Sequence, residues 1–472
     1  MRELERGPMT GMDRLRGHLV KEYRKKTAKS RAVFCRAEKV MIEGGSHSIR
    51  LWRPYPFFAA GAEGPSVRDV DGNTYIDYWQ GHYANILGHN PRLVRRGIAS
   101  CLGRGALHTG FEAGHQIELA ETLVRSVGGK DAKVRFTTSG TLATMYAVML
   151  AQGLTGRDLV LKVGGGWHGA SPYLLKGVKF QAEEGFEGRE SSGLLDDIVR
   201  RTLITRFNDG DDLERIVNEN GDRLACFIVE PFLGVGGFLP ATKEYLQLAR
   251  SLTAKFGIIL IFDEIISGFR FCPSALQKLY GVEPDLTALG KIIGGGHAVA
   301  AVVGPSKLME GCERGGRERV MFEGGTFSSH SEYMKAGLIM LGHLVKNAPT
   351  VYPRMARAGE KLRRAIERVF AAEGIAARCT GDGNEIVTGS SLFMVHFPRE
   401  AETACDRPEA LHDDRRMNLA LQDEILKLAL LVHGVNVVHG GGAVSAAHRE
   451  RDVDATIAAY AEAARLFKKF LR

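Results

Sequence analysis

A lysine in an apolar segment is the residue of this sequence best placed to act as a nucleophile. Lys291 lies in ALGKIIGGG, residues 288–296. Burial disfavours the charged form of an amine and lowers its pKa, and a neutral amine can condense with an aldehyde to form a Schiff base. The three glycines that follow let the backbone approach a ligand closely. The alternative is a lysine that reaches solvent from a strand end.

A carboxylate ends another apolar segment, IFDEI at residues 261–265. Burying the Asp263 carboxylate is costly unless it pairs with a cation or a protonated ring nitrogen. Strand alternation places Asp263 and Ile265 on one face, so this strand end could offer an anion to the edge of a ring and hydrocarbon to its flat side. A cap of a helix or turn is the other interpretation.

Small hydroxyl residues precede a helical stretch in FTTSGT, residues 136–141. Ser139, Gly140 and Thr141 would place backbone N–H groups and hydroxyl donors where a phosphate can bind, although a plain N-cap has the same composition. The segment is not part of a Gly-x-x-x-x-Gly-Lys-[Ser/Thr] motif, so a nucleotide P-loop is not supported.

The fourth segment, GGGWHG at residues 164–169, follows a β-branched run. The glycines permit a sharp turn, and Trp167 held there can stack on a planar ring. His168 is a possible metal ligand, but no His/Cys/Asp cluster at ligand spacing accompanies it, so we predict no metal site. Together the four segments supply a phosphate cradle, a stacking aromatic, a carboxylate for a ring nitrogen and a Schiff-base lysine. These are the requirements of pyridoxal 5'-phosphate.

The elements that must position these residues alternate in an α/β pattern. Strands that are apolar on both faces and separated by helices predict a mostly parallel central sheet covered by helices. The predicted strands of this sheet include 158–163, 225–230 and 257–263. In such a sheet the ligand lies beyond the carboxyl ends of the strands, which is where the four segments lie.

A smaller α+β domain is predicted from the C-terminal part of the sequence. Its helices are expected at 353–374, 412–433 and 452–471, around strands at 391–397 and 435–439. Asp71-Gly72 lies between two alternating segments and predicts a hairpin. We expect an N-terminal arm and small-domain segment at 1–104, a large cofactor-binding domain at 105–345 and the C-terminal domain at 346–472.

Composition and charge exclude several classes of protein. Apolar residues make up 44% and charged residues 25% of the 472 residues, which is typical of a globular chain and not of a disordered one. Seven dispersed cysteines favour reduced thiols, and the sequence has neither a long apolar run nor the apolar core of a signal peptide. We therefore expect a cytoplasmic protein with no membrane partner.

Most of the net charge of +8 lies in residues 1–40, which hold twelve Lys/Arg against five Asp/Glu. Such an arm could touch RNA, a membrane surface or an acidic partner. Its apolar positions Leu15, Leu19, Val20 and Tyr23 also suit a helix lying on a subunit surface. We favour the helix and expect no nucleic-acid partner.

Longer motifs resemble a known family. DEIISGFR at 263–270 and TALGKIIGGG at 287–296 resemble class III pyridoxal-phosphate aminotransferases, and most closely the glutamate-1-semialdehyde 2,1-aminomutases within them. The resemblance covers about residues 40–450. Five shorter motifs occur in the family's order: DVDG at 69–72, LGHN at 87–90, VEP at 229–231, GTF at 325–327 and AH at 447–448.

The resemblance implies fold type I and a homodimer with active sites shared between subunits. Lys291 would hold the cofactor aldehyde and Asp263 would pair with the pyridinium nitrogen. The other implied cofactor contacts are the phosphate ligands Ser139, Gly140 and Thr141, with Thr326 from the partner subunit; Trp167 and Ile265 on the two ring faces; His168; and Glu230 near the substrate side.

Departures from the family pattern fall near the expected substrate. Residues 138–143 read TSGTLA where the family usually has NSGTEA. The aminomutase stretch FEAGF aligns with HGGGA at 439–443, so Gly440 replaces its glutamate. The arginine that binds a substrate carboxylate has an approximate counterpart in Arg50.

We expect transfer of an amino group between an amine or amino-acid donor and a carbonyl acceptor. Intramolecular transfer by a 2,1-aminomutase and racemisation or epimerisation need the same machinery and remain alternatives. A silent fold-type-I protein that binds a partner through its basic arm is a fourth. The absorption spectrum of the purified protein would separate that last alternative from the enzymes.

Overall fold

A seven-stranded sheet forms the centre of the molecule in a computed structural model that describes residues 10–127, 129, 131–315 and 319–471. In spatial order its strands are Ala132–Thr137, Ala300–Pro305, Leu286–Leu289, Ile259–Asp263, Leu224–Val229, Leu159–Val163 and Thr202–Thr205. Six strands run in the same direction, and only Ala300–Pro305 is antiparallel to both its neighbours. The predicted mostly parallel sheet is confirmed.

Burial explains why these segments form strands. Every residue of Leu159–Val163, Leu224–Val229 and Leu286–Leu289 is buried. A sheet covered by helices on both faces selects continuous apolar strands of this kind. The observed strands begin close to the predicted ones: Leu159–Val163 begins one residue later than predicted, Ile259–Asp263 two residues later and Leu224–Val229 one residue earlier.

Three smaller sheets flank the central one. The first contains Ala59–Glu63, Ser66–Asp69, Thr74–Asp77 and Val435–Asn436, the second Arg378–Thr380, Leu392–His396 and Gly441–Ala443, and the third Phe232–Leu233 and Leu239–Pro240. The hairpin predicted at Asp71-Gly72 joins Ser66–Asp69 to Thr74–Asp77, and Gly72 has a φ of +94°. That conformation suits glycine, which has no Cβ.

Helices cover the sheets and connect the strands. The longer ones are Gly11–Lys26, Ala28–Ala37, Arg92–Leu102, Gly114–Val127, Gly140–Thr155, Gly210–Asn220, Lys243–Phe256, Ser331–Lys346, Ala348–Ala372 and Glu450–Leu471. Shorter helices are Asp196–Arg200, Gln277–Tyr280, Ser306–Met309, Pro408–Leu411 and Leu426–Val432, with a π-helix at Leu421–Ile425. Short 3₁₀ turns lie at Ile42–Gly44, Ser48–Arg50, Pro172–Leu174, Lys291–Gly294 and Glu310–Cys312.

The basic N-terminal segment is helical where it is described. Leu15, Leu19 and Tyr23 of Gly11–Lys26 are buried against the helices Leu426–Val432 and Glu450–Leu471. Val20 is partly buried in the same cluster. The helix predicted for these positions is therefore present at Gly11–Lys26, and residues 1–9 lie outside the described residues.

The C-terminal elements differ from the predicted ones most clearly between residues 408 and 432, and the strands Arg378–Thr380 and Gly441–Ala443 were not predicted. The single helix expected over 412–433 is replaced by Pro408–Leu411, an irregular segment, the π-helix and Leu426–Val432. Two contacts account for the break. Asn418 N–H donates to the Phe397 carbonyl (2.8 Å), and the Asn418 side chain accepts from Leu421 N–H (3.1 Å), so the regular helix can only begin after residue 418.

Three properties of the described residues concern membrane crossing, metal binding and disulfide bonds. Within the described ranges no helix combines the length and apolarity needed to cross a bilayer, and no group of three or more His, Cys, Asp or Glu side chains could hold a metal ion. All seven cysteines are free thiols.

Candidate active site

A cavity of about 210 Å³ opens at the carboxyl ends of the parallel strands. Each of the four segments that the sequence singled out as able to do chemistry contributes residues to the wall of this cavity. The lining residues are Thr138, Ser139, Gly140, Thr141, Trp167, Gly169, Glu230, Asp263, Ile265, Ile266, Lys291, His297, Ala298 and Val299. The fold thus gathers residues separated by up to 161 positions in the sequence, from Thr138 to Val299, at one edge of the sheet.

The N-terminus of helix Gly140–Thr155 forms one end of the cavity. Ser139 is its N-cap, and the Ser139 hydroxyl accepts from Leu142 N–H at 3.3 Å. A Cβ added to Gly140 would lie only 2.7 Å from Cδ1 of Ile265, so the glycine lets Ile265 pack closely against the helix N-terminus. The free N–H groups and hydroxyls of this first turn, with the positive end of the helix dipole, favour an anion such as a phosphate.

Asp263 lies at the base of the cavity, 3% exposed, and its two carboxylate oxygens have different partners. Oδ2 is 2.8 Å from His168 Nδ1, and Oδ1 accepts from Ile265 N–H at 3.1 Å. Burial lowers the pKa of His168 although Asp263 opposes the shift, so the imidazole is neutral and donates its Nδ1 proton to the carboxylate. These two hydrogen bonds fix the orientation of the Asp263 carboxylate where it lines the cavity.

Trp167 and Glu230 form a linked pair on another wall. The Trp167 N–H donates to Glu230 Oε1 (3.1 Å), and Gly234 N–H donates to Oε2 (2.9 Å). Burial, followed by the negative charge of Asp263, raises the pKa of Glu230. Helix Gly140–Thr155 also holds the loop of Trp167, because the Thr144 hydroxyl donates a hydrogen bond to the His168 carbonyl at 2.6 Å.

Lys291 begins the turn that follows strand Leu286–Leu289, with a φ of +48°. Burial lowers its pKa, while the carboxylates of Asp263 and Glu230 oppose the shift. The glycines after it serve close packing: a Cβ on Gly295 would lie 2.5 Å from the Ala336 carbonyl oxygen. The result is an amine that loses its proton more readily than a solvated lysine does.

The donor set fits a phosphorylated pyridine aldehyde. Anion donors lie at one end of the cavity, a carboxylate that His168 orients lies at its base, and Trp167 and Ile265 supply aromatic and aliphatic surface. Lys291 completes the set with an amine of lowered pKa. The sequence predicted this set of residues at one site only.

Comparison with known proteins decides the family. The family model "Aminotransferase class-III" matches residues 50–387. The chain belongs to the class III aminotransferases. It is 32% identical over 439 residues to glutamate-1-semialdehyde 2,1-aminomutase of Methanosphaera stadtmanae, covering 92% of this chain and 97% of the relative.

Solved structures agree with this assignment. An omega-transaminase from Sphaerobacter thermophilus superposes with a TM-score of 0.82 at 30% identity, over 92% of this chain and 97% of its own. A transaminase solved with PLP bound has a TM-score of 0.79 at 27% identity, over 94% and 98% of the two chains. As a class III aminotransferase the protein has the type I fold, is an enzyme and depends on pyridoxal 5'-phosphate.

Three of the residues singled out from the sequence lie outside the cavity lining. His168 contacts Asp263 from behind, so it acts through that carboxylate. Thr326 is exposed, and its carbonyl accepts from the Thr109 hydroxyl at 3.1 Å. Arg50 is exposed at the end of the turn Ser48–Arg50, where Nη1 donates to the Ser46 hydroxyl at 3.1 Å.

Sequence reasoning missed a left-handed turn beside Lys291. Gln80, Gly81, His82 and Tyr83 all have positive φ, from 47° to 68°, and this turn packs against Lys291–Gly294. Left-handed backbone costs about 1–2 kcal/mol per residue with a side chain. The only sequence signal was the Gly-His pair after a polar Gln80, which is weak without knowledge of the fold.

Buried polar groups hold this turn. The Asp77 carboxylate accepts from Trp79 N–H (3.1 Å) and Gln80 N–H (2.9 Å), and it is itself 2.7 Å from His89. The buried Arg270 guanidinium donates to the Tyr83 carbonyl. Arg270 lies in the DEIISGFR motif, so part of the motif's role is to support this turn.

Proposed function

We propose that the protein transfers an amino group from an amine or amino-acid donor to an external carbonyl acceptor. The observation that carries the proposal is the arrangement of Lys291, Asp263 and the helix N-terminus at Ser139 around one cavity. When bound, pyridoxal 5'-phosphate supplies the electron sink for the negative charge left when a substrate amine loses its α-proton.

The chain's own residues then have separate tasks. Backbone N–H groups and hydroxyls of Ser139, Gly140 and Thr141 bind the phosphate. Asp263 holds a proton at the ring nitrogen, and Trp167 and Ile265 confine the two faces of the ring. Burial lowers the pKa of Lys291 Nζ. Lys291 Nζ accepts the proton from the substrate α-carbon and returns it two atoms away, which completes a 1,3-proton shift.

The substrate side favours an external acceptor. An intramolecular reaction must retain its intermediate between two half-reactions, and the residue aligned with the aminomutase glutamate here is Gly440. A Cβ on Gly440 would lie 2.8 Å from Gln422 Cγ and from the Val395 carbonyl oxygen, so no side chain fits there. Arg50 is proposed to bind a substrate carboxylate by paired hydrogen bonds.

A second copy of the chain is the proposed partner. Four large apolar side chains on two neighbouring loops are 59–76% exposed: Leu107, Phe111, Met321 and Phe327. The Thr109–Thr326 hydrogen bond joins these loops. Exposed apolar side chains on two joined loops suit an interface, and a homodimer would carry Thr326 to the partner's cavity. Seven free thiols support the proposed cytoplasmic location.

The test is a single-turnover comparison of two reactions. Holoenzyme is mixed with amino donors in the absence of an acceptor, and the keto product and the cofactor spectrum are followed. The proposal expects one equivalent of keto product per site. Faster conversion of glutamate-1-semialdehyde to 5-aminolevulinate than any such half-reaction would replace it with the aminomutase reaction, and racemised donor without keto product would replace it with racemisation.

A further inference from the structure

A second cavity, of about 580 Å³, lies between helix Ala348–Ala372 and the loop of residues 382–390. Two rows of helix side chains face it, each spaced seven residues apart: Ala356 with Arg363, and Arg357 with Arg364. The cavity therefore extends along two turns of the helix, roughly 10 Å, and has the volume of a small-ligand site. It shares no lining residue with the active-site cavity, so the two are separate.

Three arginines and two acids line this second cavity: Arg357, Arg363, Arg364, Glu360 and Asp382. Both acids already have a partner. Asp382 Oδ1 is 2.6 Å from Arg363 Nε, and Glu360 Oε1 is 2.5 Å from Arg364 Nη2. Arg357 forms no ion pair with any residue that the structure describes. The cavity thus has an excess positive charge, carried by the Arg357 guanidinium.

Arg363 presents a fixed donor to the same cavity. The residue is only 5% exposed, and its Nη1 donates to the carbonyls of Ser390 (3.2 Å) and Leu392 (2.6 Å). These contacts and the bond from Nε to Asp382 hold the guanidinium plane in place. Nη2 has no hydrogen-bond partner among the described residues and is not enclosed by protein atoms, so it remains available to a ligand.

Apolar side chains form the rest of the wall. Phe271 is partly buried and Leu279 is 41% exposed, and Pro353 and Val387 lie in the same wall. Apolar surface beside guanidinium groups suits a ligand that has an anionic group and a planar or apolar body. One bidentate arginine satisfies a carboxylate, whereas a phosphate monoester has three acceptor oxygens and almost two negative charges, enough for two arginines.

We propose that this cavity binds an aromatic phosphate monoester, with the phosphate between Arg357 and Arg363 and the aromatic body against Phe271 and Leu279. The two arginines supply the charge and the fixed donor, and the apolar wall removes the body from water. This site goes beyond the proposed amino transfer and does not depend on it, because no residue of the reacting centre takes part.

The test measures binding of adenosine 5'-monophosphate by calorimetry. The holoenzyme is first reduced with borohydride and freed of unbound cofactor, so that the phosphate donors at Ser139 are already occupied. We expect one equivalent of the nucleotide to bind per chain. Adenosine, which lacks the phosphate, and inorganic phosphate, which lacks the body, should each bind at least tenfold more weakly.

Two variants and a matched control assign the binding to this cavity. Arg357→Gln removes the exposed, unpaired guanidinium, and Arg363→Lys keeps the charge beside Asp382 but removes Nη2. Each should weaken nucleotide binding at least tenfold, the usual effect of losing a charge-assisted hydrogen bond. Arg368→Gln makes the same change at an exposed arginine of the same helix outside the cavity and should bind within about twofold of the wild type.

Thermal unfolding shows whether each variant is folded, and Arg357→Gln, at an exposed position, keeps the test decisive if Arg363→Lys is unstable. Wild-type protein that does not bind the nucleotide would overturn the inference, as would an Arg357→Gln variant that binds it normally or no more weakly than Arg368→Gln does. Adenosine binding as tightly as the nucleotide would exclude the role of the arginines, and inorganic phosphate binding as tightly would exclude the role of the apolar wall.

Discussion

Replacing Asp263 by Asn tests the central carboxylate, and the size of its effect on stability follows from the hydrogen bonds. The carboxylate accepts from His168 Nδ1 and from Ile265 N–H, whereas an amide has one oxygen and one NH₂ group. One of the two donors must then face the NH₂ group. If His168 moves its proton to Nε2 instead, that proton has no partner, because Nε2 has none among the described residues.

Either arrangement leaves one buried donor unsatisfied, which costs about 1–3 kcal/mol of folding free energy. The loss of charge has a second and larger consequence for catalysis. An amide cannot hold the ring nitrogen protonated, so we expect turnover to fall about 10²–10³-fold, the usual effect of removing one preorganised electrostatic partner. The cofactor should still bind, because the phosphate donors and Lys291 are unchanged.

The assay combines thermal unfolding, cofactor content by absorbance and single-turnover proton exchange at the donor's α-carbon. His168→Asn is the informative companion: it removes a hydrogen bond from Asp263 without removing the charge, so its effect on turnover should be much smaller at a similar loss of stability. If Asp263→Asn were unstable yet turned over at nearly the wild-type rate, Asp263 would be only a structural cap and our assignment would fail.

Three further predictions concern the cradle, the substrate end and the lysine. Gly140→Ala should lower cofactor affinity, because its Cβ would press on Ile265, which lines the cavity. The control Gly342→Ala has open space at its Cβ in helix Ser331–Lys346 and should stabilise the protein by up to about 1 kcal/mol. Equal cofactor affinities in the two variants would refute the cradle. Arg50→Ala should raise the KM for carboxylated donors and leave that for simple amines nearly unchanged, and equal effects would remove Arg50 from the site. Burial lowers the pKa of Lys291, so its neutral fraction increases as pH rises through a value below the ordinary 10.5. Capture of cofactor by the apoprotein should therefore accelerate with pH over that lower range. A midpoint at 10.5 would indicate a solvated lysine.

The central sheet was predictable because its residues face the same environment on both sides. In Leu224–Val229 every side chain is buried, and a run of apolar residues between helices is the direct sequence signature of that environment. The cavity followed from the same pattern, since parallel strands place the residues after them at one edge. This is why Lys291, Asp263 and Ser139 could be grouped before any geometry was known.

The parts that escaped prediction depend on contacts between distant segments. The left-handed turn at His82 is maintained by Asp77 and by Arg270, which lies 187 residues from its partner Tyr83. His168 was predicted as a cofactor contact, but the sequence did not show that it would pair with Asp263, which belongs to strand Ile259–Asp263. The helix expected from 412 begins late because Asn418 bonds to Phe397. None of these pairings leaves a periodic signal in the sequence.

The measurement that tests the account most directly is the site of covalent cofactor attachment. Borohydride reduction of the holoenzyme followed by peptide mass analysis identifies the lysine that carries the cofactor. Lys162 is the instructive competitor, since burial lowers its pKa to about 7, but its Nζ already donates to the carbonyls of Gly166 (2.9 Å) and Lys176 (2.7 Å) and its side chain is fully buried. We expect the label on Lys291 alone and none in Lys291→Ala, which should fold normally and fail to turn over. A label on Lys162, or turnover by Lys291→Ala without added amine, would contradict the account.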